Sequence, residues 1–120
     1  MRTFLNFVFQ VLEKAGMTNG IRSVCVYGGV PKWGQKQKLR WGVDVVVATP
    51  GRLKDLVQMG CLTLASVSYL VLDEADRMLD QGFEDDIRAI IGMTHVERQT
   101  CLFSATWPEA IRNLGKSKTQ

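Results

Sequence analysis

The order of hydrophobic and polar positions changes several times along the chain, and each change predicts a new element. Leu5, Val8 and Leu12 recur at steps of three or four residues, which predicts an amphipathic helix. The consecutive valines from Val45 to Val47 are typical of a strand in a parallel sheet that is covered on both faces. Helices are predicted over Phe4 to Ala15, Lys36 to Trp41, Pro50 to Met59, Phe83 to Ile91 and Pro108 to Leu114, the last of them stopped by Gly115. Strands are predicted over Ile21 to Tyr27, Val43 to Ala48, Tyr69 to Leu72 and Thr100 to Phe103, and the apolar run from Tyr69 to Leu72 is expected to be buried.

Strands and helices therefore alternate, and this pattern predicts an α/β domain with a parallel sheet and flanking helices. Each predicted strand is followed by a polar or glycine-rich segment. The four segments are Gly28-Gly29, Thr49-Pro50-Gly51-Arg52, Asp73-Glu74-Ala75-Asp76 and Ser104-Ala105-Thr106. Ligands of such domains bind where the carboxyl ends of the strands meet the following loops, so we expect the chemistry of this chain to lie in these segments.

The composition is that of a soluble, folded segment of one domain's length. The 120 residues are 46% hydrophobic and 22% charged, which argues against disorder, and the length excludes a two-domain enzyme. The net charge of +3 permits a polyanionic partner without requiring one. No apolar run approaches the ~20 residues that cross a bilayer, and the three cysteines are too far apart for a disulfide framework or a zinc cluster. We expect an intracellular protein with no membrane segment.

The adjacent carboxylates after the third strand suit the hydrolysis of a nucleoside triphosphate. Asp73 can hold Mg²⁺ directly or through water, because that ion keeps an octahedral oxygen shell and takes few protein ligands. Glu74 can orient or deprotonate the attacking water. The alternative interpretation is that both residues cap the next helix, as acidic residues after a strand often do.

The segment after the second strand suits the binding of phosphate. Thr49 is placed to cap a helix and Pro50 stands at its first position. The N–H groups of a helix start attract anions, Gly51 lets another backbone approach, and Arg52 adds a charged fork for phosphate. Gly28-Gly29 leaves room for a similar contact, although an ordinary tight turn is the simpler interpretation of that pair alone.

Taken together, these segments resemble the first RecA-like domain of the DEAD-box ATP-dependent RNA helicases. The residues from Tyr69 to Leu79 match the Walker B segment of that family, and Ser104-Ala105-Thr106 matches its third motif. Thr49-Pro50-Gly51-Arg52 matches motif Ib, and Gly28-Gly29 matches the double-glycine loop. The amino-acid sequence from Gln99 to Pro108 is similar to that of the p68-like and Dbp2/Dbp3-like branch of the family.

The resemblance also predicts how the chain is divided. Residues 1–9 form a non-matching N-terminal segment, residues 10–114 a partial helicase ATP-binding domain, and residues 115–120 a polar tail. The phosphate-binding pattern G-x-x-x-x-G-K-[ST] does not occur, so the expected fold is an incomplete RecA-like domain of the P-loop NTPase type that lacks the P-loop strand. Thr100 to Phe103 would then have an unpaired edge, and we expect an isolated fragment to be poorly stable.

The resemblance implies a role for each motif residue. It implies that Asp73 binds the magnesium ion, mainly through water, and that Glu74 acts on the catalytic water. Asp76, Ser104 and Thr106 would couple nucleotide state to strand separation, although the two hydroxyls could instead cap the helix from Pro108. The RNA-binding residues would be Gly28, Gly29, Thr49, Pro50, Gly51 and Arg52.

The implied activity is that of an ATP-dependent RNA helicase, which couples ATP hydrolysis to the unwinding and remodelling of RNA duplexes. ATP and Mg²⁺ would be cofactors of the complete enzyme, and RNA would be bound through its phosphate backbone whatever its sequence. A second helicase domain is absent from the chain, so we expect the chain alone not to be catalytically competent. The alternatives are a non-catalytic RNA-backbone-binding module and a protein-interaction fragment. Relatives of this kind favour the nucleus or nucleolus, with the cytoplasm left open.

Overall fold

The computed structural model describes residues 2–29, 31–40 and 42–116. The chain falls into two units, the first ending at Leu62 and the second beginning at Thr63. The helices are α1 (Arg2–Gly16), α2 (Lys32–Leu39), α3 (Pro50–Gln58), α4 (Ala75–Asp80), α5 (Glu84–Met93) and α6 (Glu109–Lys116). The strands are β1 (Ser23–Val26), β2 (Val45–Ala48), β3 (Tyr69–Leu72) and β4 (Gln99–Leu102).

The first unit is built on a parallel pair of strands. β1 and β2 run side by side from the pair Ser23 and Val45 to the pair Val26 and Ala48, so the two strands end level with each other. α1 and α2 both lie against β1. The buried core is formed by Val24, Val26, Leu39 and Leu56. Because these residues come from both helical and strand segments, the core fixes the loops that leave the ends of β1 and β2.

The second unit repeats this arrangement with β3 and β4. The two strands are parallel, and Leu72 at the end of β3 is level with Leu102 at the end of β4. The buried apolar residues of this unit are Leu64, Leu72, Ala75, Met78, Ile87, Ile90, Ile91, Ile111 and Leu114. Parallel pairs joined through helices confirm the predicted α/β alternation in each unit.

The fourth helix was not predicted. α4 has only six residues, and Ala75 and Met78 are its buried positions, so its apolar stripe is too short to show a helical period. The backbone of Glu74, at the N-cap, is left-handed (φ 53°, ψ 44°), which turns the chain sharply from β3 into the helix.

Several predicted boundaries and caps were wrong. α2 begins at Lys32 instead of Lys36 and ends at Leu39, and Trp41 lies outside the described residues. Gly115 does not stop the last helix, because α6 continues to Lys116. Thr49 occupies the N-cap of α3 with an extended backbone, but its side chain makes no capping hydrogen bond.

The prediction that the Tyr69 to Leu72 strand is buried was also wrong. Leu72 is buried, but Tyr69 is 56% exposed and Val71 49% exposed. Side chains alternate between the faces of a strand, so one face of β3 is covered and the other is open. Within the described part of the second unit, β4 is hydrogen-bonded to β3 and to no other strand. Among the described residues, no helix is long and apolar enough to cross a membrane.

Candidate functional site

The loops that follow β3 and β4 are joined by backbone hydrogen bonds. The N–H of Phe103 donates to the carbonyl of Leu72 at 2.8 Å, and the N–H of Ala75 donates to the carbonyl of Phe103 at 3.1 Å. The start of α4 is therefore bound to the chain that leaves β4. This places the predicted catalytic pair next to the predicted coupling hydroxyls.

Asp76 is the centre of the contacts between these loops. Its Oδ2 accepts hydrogen bonds from the hydroxyl of Thr106 at 3.0 Å and from the N–H of Thr106 at 3.2 Å. Its own N–H donates to the hydroxyl of Ser104 at 3.2 Å. Ser104 thus satisfies an N–H in the first turn of α4, and the predicted alternative of a cap on the helix from Pro108 does not account for these bonds.

The same contacts change the acidity of Asp76. Partial desolvation by itself raises the pKa of Asp76, but hydrogen bonds from the Thr106 hydroxyl, the N–H groups of Arg77 and Thr106, and the Ser104 hydroxyl lower it below its ordinary value. Hydrogen bonds donated to a carboxylate favour its charged form. The network is therefore matched to an ionised Asp76.

The predicted catalytic pair lies at the carboxyl end of β3. Asp73 is exposed, and its Oδ1 accepts the N–H of Glu74 at 2.8 Å. Glu74 is the one non-glycine residue with a positive φ in the described part of the chain. Its carboxylate pairs with the guanidinium of Arg77 at 3.0 Å. A left-handed backbone costs a non-glycine residue free energy, and such strain is commonly found at functional sites.

The alternative interpretation, in which Asp73 and Glu74 both cap the next helix, can be compared with the hydrogen bonds that the two side chains make. Glu74 occupies the N-cap of α4, but its side chain makes no capping hydrogen bond. Asp73 lies one residue earlier and binds only the N–H of Glu74 within the described chain. The Glu74 carboxylate is instead held by Arg77, a contact that the sequence analysis missed although a spacing of three residues on a helix could have indicated it.

The donor set around Asp73 fits a magnesium ion that keeps most of its water. Among the described residues, no three His, Cys, Asp or Glu side chains are grouped as a metal cage. Mg²⁺ is commonly held by one or two carboxylates together with water and substrate phosphates. The exposed Asp73 at a strand end therefore suits Mg²⁺ bound mainly through water.

In the first unit, the two predicted phosphate-binding segments leave neighbouring strand ends. The N–H of Thr49 donates to the carbonyl of Val26 at 3.1 Å, so the chain after β2 stays beside the chain after β1. Gly28 is exposed with open space where a side chain would stand, and Gly29 has a φ of 87° that favours glycine. The open space at Gly28 leaves room for a backbone to approach.

The motif after β2 forms the start of α3. Pro50 is buried at the first turn, where its fixed φ suits a helix start, while Gly51 and Arg52 are half-buried. The Nη1 of Arg52 donates to the Oε1 of Gln35 at 3.0 Å. Gln35 lies on α2 and belongs to none of the predicted motifs. A polar residue four positions before Leu39 on the buried face of α2 is the signal that could have identified it.

Comparison with known proteins places this arrangement in one family. The profile described as "DEAD/DEAH box helicase" matches residues 1–114. The chain is 56% identical over 105 residues to the ATP-dependent RNA helicase dbp2 of Sclerotinia sclerotiorum, a match that covers 88% of this chain and 18% of the relative. It is 54% identical over 109 residues to the DEAD-box ATP-dependent RNA helicase 5 of Oryza sativa subsp. japonica, covering 91% and 21%.

Solved structures show the same fold. A hypothetical ATP-dependent RNA helicase from Sulfolobus tokodaii superposes with a TM-score of 0.91 at 40% identity, covering 98% of this chain and 35% of the other. The yeast DEAD-box splicing factor Prp28 gives a TM-score of 0.91 at 30% identity, covering 100% and 29%. The predicted RecA-like α/β fold is confirmed.

The chain spans about a fifth of the length of the curated relatives described above. The similarity nevertheless runs through both units and includes all four predicted motifs. Since the profile matches far more than half of the residues, the chain belongs to the DEAD/DEAH box helicase family.

Proposed function

We propose that the protein that contains this chain is an ATP-dependent RNA helicase that couples ATP hydrolysis to the unwinding and remodelling of RNA duplexes. The observation that carries this proposal is the network in which Asp76 binds both hydroxyl residues of the third motif. It connects the carboxylates proposed to act on ATP to a separate loop, and such a connection is needed if hydrolysis is to drive a mechanical change.

Asp73 is proposed to hold Mg²⁺ through water. When bound, the ion would neutralise charge on the phosphates of ATP during transfer. The contribution of this chain is to fix the carboxylate at the strand end, where the bond from the N–H of Glu74 to Oδ1 orients it. The chain lacks the G-x-x-x-x-G-K-[ST] loop, so we propose that ATP hydrolysis needs residues from outside these 120.

Glu74 is proposed to orient the attacking water and to take up its proton. The left-handed backbone at this residue makes the sharp turn from β3 into α4 and so places Glu74 at the strand end beside Asp73. In the structure its carboxylate binds Arg77, which occupies an acceptor oxygen that a water would need. We propose that this ion pair opens when water is bound. The opening costs little free energy, because the side chain of Arg77 is 63% exposed.

RNA is the proposed partner of the first unit, bound through its backbone and without regard to sequence. Gly28 has open space for a phosphate chain, Gly29 and Gly51 carry no side chain that would block one, and Arg52 supplies a planar positive fork. Contacts of this kind position a strand without reading its bases, which suits an enzyme that acts on many duplexes. We further propose a nuclear or nucleolar location, on the strength of the resemblance to the p68-like and Dbp2/Dbp3-like branch alone.

The test separates hydrolysis from unwinding in the complete protein. Thr106→Val removes the hydroxyl that binds Asp76 and keeps the size of the side chain. We expect duplex unwinding to fall about tenfold or more while RNA-stimulated ATP hydrolysis changes less than about threefold, because the variant leaves Asp73 and Glu74 untouched.

Thr100→Val is the matched control, since Thr100 is an exposed threonine on β4 whose hydroxyl faces Arg98. It should unwind RNA at the normal rate. The proposal fails if the Thr106 variant unwinds normally, or if the complete protein hydrolyses no ATP when RNA is present.

A further inference from the structure

Gln35 connects the two phosphate-binding segments of the first unit. Its Nε2 donates to the carbonyl of Tyr27 at 3.0 Å, directly before the double glycine. Its Oε1 accepts the Nη1 of Arg52 at 3.0 Å, in the motif that begins α3. One amide side chain therefore binds both segments with its two ends.

Burial makes this bridge rigid. Gln35 is only 6% exposed, on the same buried face of α2 as Leu39. A buried amide whose donor and acceptor are both satisfied has one favoured orientation, because any rotation leaves a polar group unpaired at a cost of about 1–3 kcal/mol. A second contact between the same helices, the ion pair of Lys32 with Asp55 at 3.1 Å, ties α2 to α3 one turn away.

The direction of the Arg52 side chain follows from this contact. An arginine loses up to about 2 kcal/mol of conformational freedom when it is fixed, and this cost weakens binding if it has to be met when the ligand arrives. The guanidinium is a planar group with donors in a fixed fork, so anchoring one nitrogen sets the direction of the others. A residue that anchors Arg52 beforehand would therefore strengthen binding to a phosphate.

We infer that Gln35 is a positioning residue for RNA binding, which holds Arg52 in the geometry that receives backbone phosphates and is itself oriented by its bond to the carbonyl of Tyr27. This inference rests on the proposed binding of RNA by the first unit and adds a residue that belongs to none of its motifs. The ligand it serves is the phosphodiester backbone of a single strand. Gln35 acts through Arg52, while the carbonyl of Tyr27 fixes the orientation of its amide, and it has no contact of its own to RNA.

The experiment is a double-mutant cycle on RNA affinity in the complete protein. The dissociation constant of a labelled oligouridine is measured by fluorescence anisotropy at several salt concentrations for the parent, Gln35→Leu, Arg52→Ala and the double variant. We expect each single variant to bind about tenfold more weakly, and the double variant to bind no more weakly than Arg52→Ala. In each variant the slope of log Kd against log salt should fall by about 0.7, the value for one lost phosphate contact to a single strand.

Two further variants keep the test decisive. Gln37→Leu makes the same change on the same helix, at a half-buried position two residues away, and should leave affinity and salt slope unchanged. If Gln35→Leu does not fold, Gln35→Asn replaces it, because a side chain one methylene shorter cannot span both partners. A loss of thermal stability without a change in the salt slope would mean a purely structural role and would overturn the inference.

The outcomes separate this inference from the proposed function. A parent protein that does not bind the oligouridine overturns both. If the parent binds RNA but Gln35→Leu binds equally well, or weakens binding further in the Arg52→Ala background, only the positioning role of Gln35 is overturned. The positioning role is established if the effects of Gln35→Leu and Arg52→Ala on RNA affinity are not additive and Gln37→Leu binds RNA like the parent.

Discussion

The two units fix their polar side chains in different ways. In the second unit, the loops after β3 and β4 are tied by motif residues themselves, since Asp76 binds Ser104 and Thr106. In the first unit, the loops after β1 and β2 are tied by Gln35, which belongs to no motif and lies on a helix. A motif that contains its own supporting contacts can be recognised in a sequence, whereas one supported from elsewhere needs the fold.

The two units also differ in the charge of the side chains at their strand ends. The second unit places carboxylates at its strand ends, as a site for a cation and for proton transfer requires, while the first places glycines and an arginine there, as a site for phosphates requires. Variants should therefore separate the two activities. Changes in the second unit should affect ATP hydrolysis and coupling, and changes in the first should affect RNA affinity.

The largest effect is expected from Glu74→Gln, which keeps the shape of the side chain and removes its ability to accept a proton. Loss of a general base lowers turnover by about 10²–10⁴-fold, so steady-state ATP hydrolysis by the complete protein should fall at least 100-fold. RNA affinity should stay within about twofold of the parent. Glu97→Gln, an exposed change in the same unit, is the control and should hydrolyse ATP normally. A Glu74 variant that retains a tenth of its activity would refute the assigned role.

A smaller effect is expected on the stability of the folded state when the pH is lowered. The folded pKa of Asp76 is lower than its ordinary value of 3.8, so its ionised form stabilises the folded state. That contribution is complete above pH 3.8 and is lost as the pH falls through the lower, folded value. In urea unfolding at a series of acidic pH values, Asp76→Asn should lose less stability than the parent between pH 5 and pH 2. Asp80→Asn, on the same helix, should follow the parent curve, and parallel curves for the parent and Asp76→Asn would contradict the network.

The smallest effect is expected from Arg77→Ala, which removes the partner of Glu74. An ion pair with an exposed partner stabilises by less than about 1 kcal/mol, so freeing the carboxylate should raise ATP hydrolysis about twofold. The rate of single-turnover hydrolysis measures this directly. Arg112→Ala removes an exposed arginine from α6 and should have no effect. A decrease with Arg77→Ala would show that the arginine supports the reaction instead of restraining its base.

The sequence predicted much of the fold because local patterns agreed with the final structure. The valines of β2 and the polar strand ends identified the strands and their loops before any contact was known. Asp76 and Thr106 could be connected only through family motifs, because they are 30 residues apart. α4 could not be predicted because two buried positions in six residues carry no period.

Features that depend on long-range packing were missed for a related reason. Gln35 looks like a surface residue in a basic, polar helix, and its burial follows from where α2 lies against β1. The exposed Tyr69 and Val71 were expected to be buried because their strand is continuously apolar. Composition alone does not tell which face of a strand another element covers.

The most direct test of the central claim is the coupling between Asp76 and Thr106. The number of ATP molecules hydrolysed per duplex unwound is measured in the complete protein for Asp76→Ala, Thr106→Val and the double variant. If the hydrogen bond at 3.0 Å transmits the nucleotide state, each single variant raises that number, and the double variant raises it no further than the larger single effect. Effects that simply multiply in the double variant would show that the two residues act independently and would contradict the account.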